Sequence, residues 1–287
     1  MHADQVDITV DTVTRLVAEQ FPQWRDLPVR SVESTGTVSA LFRLGNDIVL
    51  RFPFRPRVDN ELRREQEHAR TIASNAPVRV SEPLGIGEPG EGYPGRWAAY
   101  GWIPGTPATT TPVGEAFASD LAAFVRAVRA IGTDGATWDG MSRGGPLWLR
   151  DEDVREALAA SNRLTDTARI EQLWKRCRDV PRDAADTWIH ADLMPGNLLV
   201  RDGRLAAVID FETVAVGDPA VDLMPAWNLF DHGAREVFRR KSGADEATWE
   251  RGRGWAIVQA IVALPYYVDT NPVMAETARH TLNAVME

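Results

Sequence analysis

Disulfide chemistry is excluded at once: the 287-residue chain has a single cysteine, Cys177, and an internal bridge needs two. Spaced at helical intervals from Leu173 and Trp174, that thiol reads as a packing residue. Basic charge is in deficit. Lysine and arginine number 32 against 41 acidic residues, a formal net charge of −9, so no basic stripe is present to neutralise nucleic-acid phosphates. No apolar run reaches the roughly 18 residues of a membrane helix; the best candidate, Trp255 to Val268, is too short and contains Pro265. Met1 to Asp11 is polar and mixed in charge, unlike a secretory signal. Repeats and low-complexity tracts are missing too. What is present is a chain of 44% hydrophobic and 25% charged residues, long enough to bury a core without disulfide or metal. It is expected to be a cytoplasmic protein, a monomer or weak dimer, with neither nucleic acid nor membrane as partner.

The first third alternates helix and strand. Val10, Val13, Leu16, Val17 and Phe21 make one helical stripe that Pro22 ends. Residues 37–44 alternate as a strand, Gly45-Asn46-Asp47 turns the chain, and Ile48 to Phe52 returns. Val58 to Ala73 reads as a helix whose inward stripe is Leu62, Glu65, Ala69 and Ile72. A carboxylate on that stripe calls for a cationic partner, because buried unpaired charge is costly. Gly85 to Gly95, with five glycines and two prolines, is expected to be a loop before the apolar run Trp97 to Ile103. Pro104-Gly105 then breaks the chain. An N-terminal lobe over residues 1–103 and a C-terminal lobe over 104–287 are expected. The second is mostly helical: one helix from Thr111-Pro112 to Gly132, others near 151–162, 166–180, 219–241 and 246–267. A single β island, Trp188 to Asp210, interrupts them, with Asp202-Gly203 as its hairpin turn. The fold class is α+β, a small mixed lobe and a larger helical one.

The chemistry concentrates in that island. His190-Ala191-Asp192-Leu193-Met194-Pro195-Gly196-Asn197 is followed by Val208-Ile209-Asp210-Phe211. A strand delivers Asp192 into a Pro-Gly loop, Asn197 opens the next strand, and Asp210 closes the returning one at the same end of the hairpin. Asn197 and Asp210 offer the hard oxygen donors that suit magnesium, which is completed by water and substrate phosphates. Asp192 is then placed to take a proton from an attacking hydroxyl, the division of labour that phosphoryl transfer requires. The spacing H-x-D-x-x-x-x-N matches the kinase catalytic loop, with Ala191 where that pattern has arginine. His190 reads as a support for its loop. Zinc is disfavoured, since one histidine among oxygen donors is not its usual set.

These segments resemble the aminoglycoside phosphotransferase family, antibiotic kinases built on the protein-kinase-like fold; its macrolide phosphotransferase branch is similar too. The resemblance is carried by residues 190–197, 208–211 and Gly217-Asp218-Pro219-Ala220-Val221-Asp222-Leu223. It extends to residues 36–44, Val49-Leu50-Arg51-Phe52-Pro53 and the hinge segment Tyr100 to Gly105. It implies a bilobal fold, Asp192 as catalytic aspartate, Asn197 and Asp210 as Mg2+ ligands, and ATP or GTP as donor. Arg51 falls where the family's strand lysine stands, fourteen residues before Glu65, so the resemblance implies an Arg–Glu pair at the nucleotide phosphates. It places Gly36, Thr37 and Ser39 over those phosphates, and Tyr100, Trp102 and Ile103 at the purine. Asp218 is expected to cap the next helix, and Asp222 to brace the catalytic loop from within.

For the acceptor, the resemblance implies an antibiotic hydroxyl, an aminoglycoside's in the first place and a macrolide's as the alternative. Asp192, Glu212, Asp218, Asp231 and Asp269 would make an acidic pocket for a polycationic aminoglycoside. Trp227, Phe230, Trp249, Trp255, Tyr266 and Tyr267 would instead suit a macrolide if some of them line a pocket. A choline-, sugar- or homoserine-type kinase, a non-catalytic nucleotide-binding module and a metal-dependent hydrolase are the alternatives. Only six residues separate Asp210 from Gly217, too few for a protein kinase's activation loop.

Overall fold

The computed structural model describes residues 8–33, 38–56 and 60–287. The chain divides into two compact units: one runs to Ser74 and includes Arg79–Pro104, the other comprises Asn75–Val78 and Gly105–Glu287.

In the first unit α1 (Val10–Gln20) starts where the Thr9 hydroxyl accepts the Thr12 N–H at 3.2 Å, and it buries Val13, Leu16 and Val17. There follow β1 (Val29–Val32), β2 (Ser39–Leu44), β3 (Ile48–Pro53), α2 (Glu61–Ala73), β4 (Arg79–Val80), β5 (Pro83–Gly87) and β6 (Trp97–Gly101). Five of these strands form an antiparallel sheet in the order β1-β2-β3-β6-β5. Sequence periodicity did not anticipate β1. Gly85 and Gly87 lie in β5 and not in a loop, a correction with a packing cause. A Cβ on Gly87 would come 2.0 Å from the Trp97 ring, and that ring is buried and stacked on Phe52 with centroids 4.9 Å apart. The glycine is there to let the indole lie flat on the strand.

The second unit contains β7 (Thr106–Pro107), α3 (Glu115–Arg129), α4 (Asp151–Ala160), α5 (Thr167–Arg178), β8 (Thr187–Ile189), β9 (Leu198–Arg201), β10 (Arg204–Val208) and β11 (Ala215–Gly217). It closes with α6 (Pro225–Asn228), α7 (His232–Ser242), α8 (Glu246–Tyr267) and α9 (Pro272–Val285). Helix α3 begins at Glu115 and not at Thr111: Gly114 is extended at its N-cap, and Glu115 supplies first-turn negative charge. The helix expected over 219–241 is three pieces. A 3-10 turn spans Pro219–Leu223, Pro225 starts α6 without a donor N–H, and the Asp231 carboxylate caps α7 through the Ala234 N–H at 2.9 Å. The β island is also larger than expected, since β11 pairs with β8 and β7 with β9. Helix α8 is buried through Trp255, Ile257, Ile261 and Leu264, and α4, α5, α9 and the 219–223 turn pack around it.

Cys177 sits inside this packing, with no exposed surface. Burial, reinforced by the Glu250 carboxylate, pushes its thiol up to about 12, so the thiolate that reacts with disulfide reagents is scarce. Native protein at pH 8 is expected to resist an aromatic disulfide reagent and to react once denaturant is added. Rapid stoichiometric labelling of the native protein would contradict this placement.

Candidate active site

The loop after β8 is held from beneath by one buried carboxylate. Asp222, in the turn after β11, accepts the N–H of His190 at Oδ2 and of Ala191 at Oδ1, each at 2.8 Å. Burial raises the Asp222 carboxyl above the usual carboxylate range, against the His190 ring, these two N–H groups and the Arg129 guanidinium. The brace has a reason to be strong. Ala191 has φ +64, a left-handed conformation that costs an ordinary L-residue about 1–2 kcal/mol. Beside it Asp218 caps the turn through Ala220 N–H at 3.0 Å and receives a two-pronged bond from buried Arg251 at 2.8 and 3.2 Å.

His190 is wholly buried. Its Nδ1 accepts the Asp192 N–H at 3.3 Å, so the ring proton lies on Nε2, 3.2 Å from the Ile209 carbonyl. The imidazole therefore ties the Asp192 loop to the end of β10. Asn197 strengthens the tie. It ends a 3-10 turn over Pro195–Asn197, and its carbonyl accepts the Ile209 N–H at 3.0 Å, which brings residue 210 alongside. Asp210 lies two residues past β10 rather than on it, at φ +66, a conformation aspartate adopts more readily than most residues.

The Asp192 carboxylate is oriented at both oxygens. Asn197 Nδ2 donates to Oδ2 at 3.0 Å and to the Asp192 carbonyl at 2.9 Å. Oδ1 receives Arg143 Nη1 and, at 3.4 Å, Gln259 Nε2. With its nitrogen committed to Asp192, the Asn197 amide directs its oxygen away from that carboxylate. Asn197 Oδ1 and the Asp210 carboxylate are thus the hard, oxygen-only donor pair that fits Mg2+, which takes few protein ligands. No cluster of three His, Cys, Asp or Glu suited to a metal occurs among the described residues.

In the first unit Arg51 of β3 donates from Nη1 to Glu65 Oε1 at 2.8 Å and from Nε to Ser39 Oγ at 3.2 Å. Both Arg51 and Glu65 are buried. The Tyr100 hydroxyl donates to the same Glu65 oxygen at 2.8 Å, so this side chain serves the ion pair. The Trp102 N–H is engaged by the Asp47 carbonyl at 2.7 Å, its ring faces the Arg43 guanidinium at 4.1 Å, and Ile103 is buried. Gly36 and Thr37 lie outside the described residues. Arg51→Lys is expected to keep more activity than Arg51→Ala, which removes the cation beside a buried carboxylate and costs about 3–5 kcal/mol of stability. Turnover and melting temperature check this; equal loss of turnover in both would mean that the fork, not the charge, matters.

Sequence reasoning missed Arg143 and Gln259. Gln259 did leave a trace, as the one amide in the apolar run Trp255 to Val268. Of the carboxylates expected to form an acidic pocket, Asp218 is buried against Arg251 and Asp231 is committed to the start of α7.

The model of the phosphotransferase enzyme family, APH, matches residues 34–255. The chain belongs to this family. No curated protein matches it in sequence. Among solved structures, the GDP complex of wild-type aminoglycoside 2'-phosphotransferase-IIIa is similar, with TM-score 0.70 at 17% identity, covering 97% of this chain and 99% of that one. The macrolide 2'-phosphotransferase MphH from Brachybacterium faecium aligns with TM-score 0.65 at 22% identity, covering 95% and 98%. Spectinomycin phosphotransferase APH(9)-Ia, with ADP and spectinomycin, gives 0.71 at 12%, covering 98% and 97%. The phosphotransferase described here shares their kinase-like α+β fold, and it is an enzyme of phosphoryl transfer to an alcohol. No helix among its described residues is long and apolar enough to cross a membrane.

Proposed function

We propose that this phosphotransferase moves the γ-phosphoryl group of ATP or GTP to a hydroxyl of a small-molecule antibiotic, with Asp192 as the base. The observation that carries this is the state of the Asp192 carboxylate. A carboxylate has about four acceptor positions; Arg143 and Gln259 fill two at Oδ1 and Asn197 fills one at Oδ2. One position at Oδ2 remains, and it is where an acceptor hydroxyl would hand over its proton as its oxygen attacks phosphorus. Asn197 and Asp210 would hold Mg2+, which when bound neutralises charge on the donor's phosphates. Arg51, with Glu65, Ser39 and the Tyr100 hydroxyl behind it, would serve those phosphates, joined by Gly36 and Thr37. The backbone of Tyr100 to Ile103 would meet the purine. Because the Trp102 N–H is already spent on Asp47, Ile103 is the better donor there.

Crystal complexes of relatives hold GDP in one case, and ADP with spectinomycin in another; they support a purine nucleotide donor and an antibiotic acceptor. A cytoplasmic location follows from that donor, and the reading needs no partner beyond a monomer or weak dimer. A coupled nucleotide-consumption assay with ATP and with GTP, across aminoglycosides, macrolides and small alcohols, tests the proposal. Turnover that depends on one antibiotic class is expected. Turnover with none of them, or with a metabolite alcohol alone, would overturn the antibiotic reading.

A further inference from the structure

Arg143 belongs to no motif of the catalytic hairpin, yet its guanidinium reaches the Ala191 carbonyl at 3.1 Å and the Asp192 carboxylate. The kinase catalytic-loop pattern has an arginine where this chain has Ala191, so a cation arrives at the same loop from elsewhere in the fold. Its backbone is pinned on both sides. The Ser142 carbonyl accepts the Trp138 indole N–H at 2.8 Å, and the Gly144 carbonyl accepts the Asp218 N–H at 2.7 Å. Asp139 gathers Met141 N–H, Ser142 N–H and the Ser142 hydroxyl at 2.7–2.9 Å. Gly144 has φ +92, and a Cβ there would lie 2.5 Å from Ile189, so the segment is fitted to β8. The arginine is held in place but not enclosed: its side chain is 41% exposed, and that of Asp192 23%. Solutes that reach the base meet the guanidinium as well.

The other ligand of Oδ1 points to what such a solute looks like. Gln259 shares one face of α8 with Val262 and Tyr266, three and seven residues further on, and these two are 42% and 53% exposed. The exposed side chains leading from Gln259 along α8 are therefore apolar and aromatic as far as Tyr266, with the Arg143–Asp192 ion pair at their head and the exposed Asp269 beyond their end. Of the carboxylates expected to form an acidic pocket, Asp218 is buried against Arg251, whereas Asp231 is exposed and spends one oxygen on the start of α7.

We propose that Arg143 is a positioning and selectivity residue: with Gln259 it saturates Oδ1 of Asp192, turns Oδ2 to the acceptor, and by neutralising that carboxylate removes its attraction for polycationic acceptors. The favoured acceptor is a largely apolar alcohol with no more than one positive charge, lying along Gln259, Val262 and Tyr266. This rests on the phosphotransfer reading above and specifies its acceptor.

The test compares wild type, Arg143→Gln and Arg143→Lys with kanamycin as the polycation and erythromycin as the apolar single amine, following transfer by mass spectrometry and nucleotide hydrolysis in parallel. Wild type is expected to favour erythromycin in kcat/KM. Arg143→Gln should shift the kanamycin-to-erythromycin ratio toward kanamycin by about tenfold and lower kcat. Arg143→Lys should restore most of the ratio, and the nucleotide KM should stay put in both. A purely structural arginine would lower melting temperature without moving the ratio. A ratio indifferent to residue 143, or a wild type that prefers kanamycin, overturns this proposal alone. Absence of transfer to either antibiotic, with turnover on another antibiotic of the panel above, overturns this proposal alone; turnover with no antibiotic of that panel overturns the antibiotic reading and this proposal with it.

Discussion

Asp192→Ala is expected to lower the rate of phosphoryl transfer by about 10²–10⁴, the usual contribution of a general base, with nucleotide affinity nearly unchanged. The separation follows from the contacts. Asp192 is bonded to Arg143, Gln259 and Asn197, and its remaining acceptor position at Oδ2 is the one assigned to the alcohol, so its loss should appear in kcat. Arg143 keeps the Ala191 carbonyl as a partner in the variant, which limits the structural cost. Single-turnover kinetics alongside a melting curve would separate chemistry from folding. A variant that transfers at the wild-type rate would remove Asp192 from the mechanism.

Asp210→Ala is expected to abolish Mg2+-dependent nucleotide binding. In the wild type, a nucleotide present at about a hundred times its Kd stabilises the fold by about 2.7 kcal/mol, and in the variant that Mg2+-dependent rise in melting temperature should vanish. Alanine is also a poor fit at φ +66, so a companion substitution is informative. Asp210→Asn keeps a side chain that tolerates this backbone and removes only the charge. Both variants should lose the Mg2+ effect, while Asp210→Asn keeps the better ligand-free stability. A normal Mg-nucleotide shift in either one would contradict the assignment of Asp210 to the metal.

How much of this was legible from the sequence depended on chain distance. Asp192, Asn197 and Asp210 lie on one hairpin, where turn chemistry and strand spacing fix who is near whom. His190 as a support followed from the same local logic, whereas Asp222 as a brace came only from the family resemblance, since it stands 32 and 31 residues from the two N–H groups it accepts. Glu65 was legible for another reason: a carboxylate on an apolar helical stripe announces a buried partner, and Arg51 meets it. Arg143 and Gln259 are 49 and 67 residues from Asp192, and nothing in their spacing could reveal that they share its Oδ1. The same limit applies to the acidic residues. The resemblance already gave Asp218 a capping role, but only the packing shows that Arg251 also neutralises it and that Asp231 spends one oxygen on the start of α7. Helix α9 was missed although Asn271-Pro272 carries a start signal, with Asn271 capping Met274 N–H at 3.2 Å.

The central claim is that an amide and a carboxylate from one hairpin hold a divalent ion while the neighbouring acid receives the alcohol. A crystal structure of the ternary complex with Mg2+, a non-hydrolysable ATP or GTP analogue and an accepted antibiotic tests it most directly. The expected result is a metal within about 2.0–2.1 Å of Asn197 Oδ1 and an Asp210 oxygen, with the acceptor hydroxyl on Asp192 Oδ2. A metal bound away from those two residues, or an acceptor oxygen out of reach of Asp192, would contradict it.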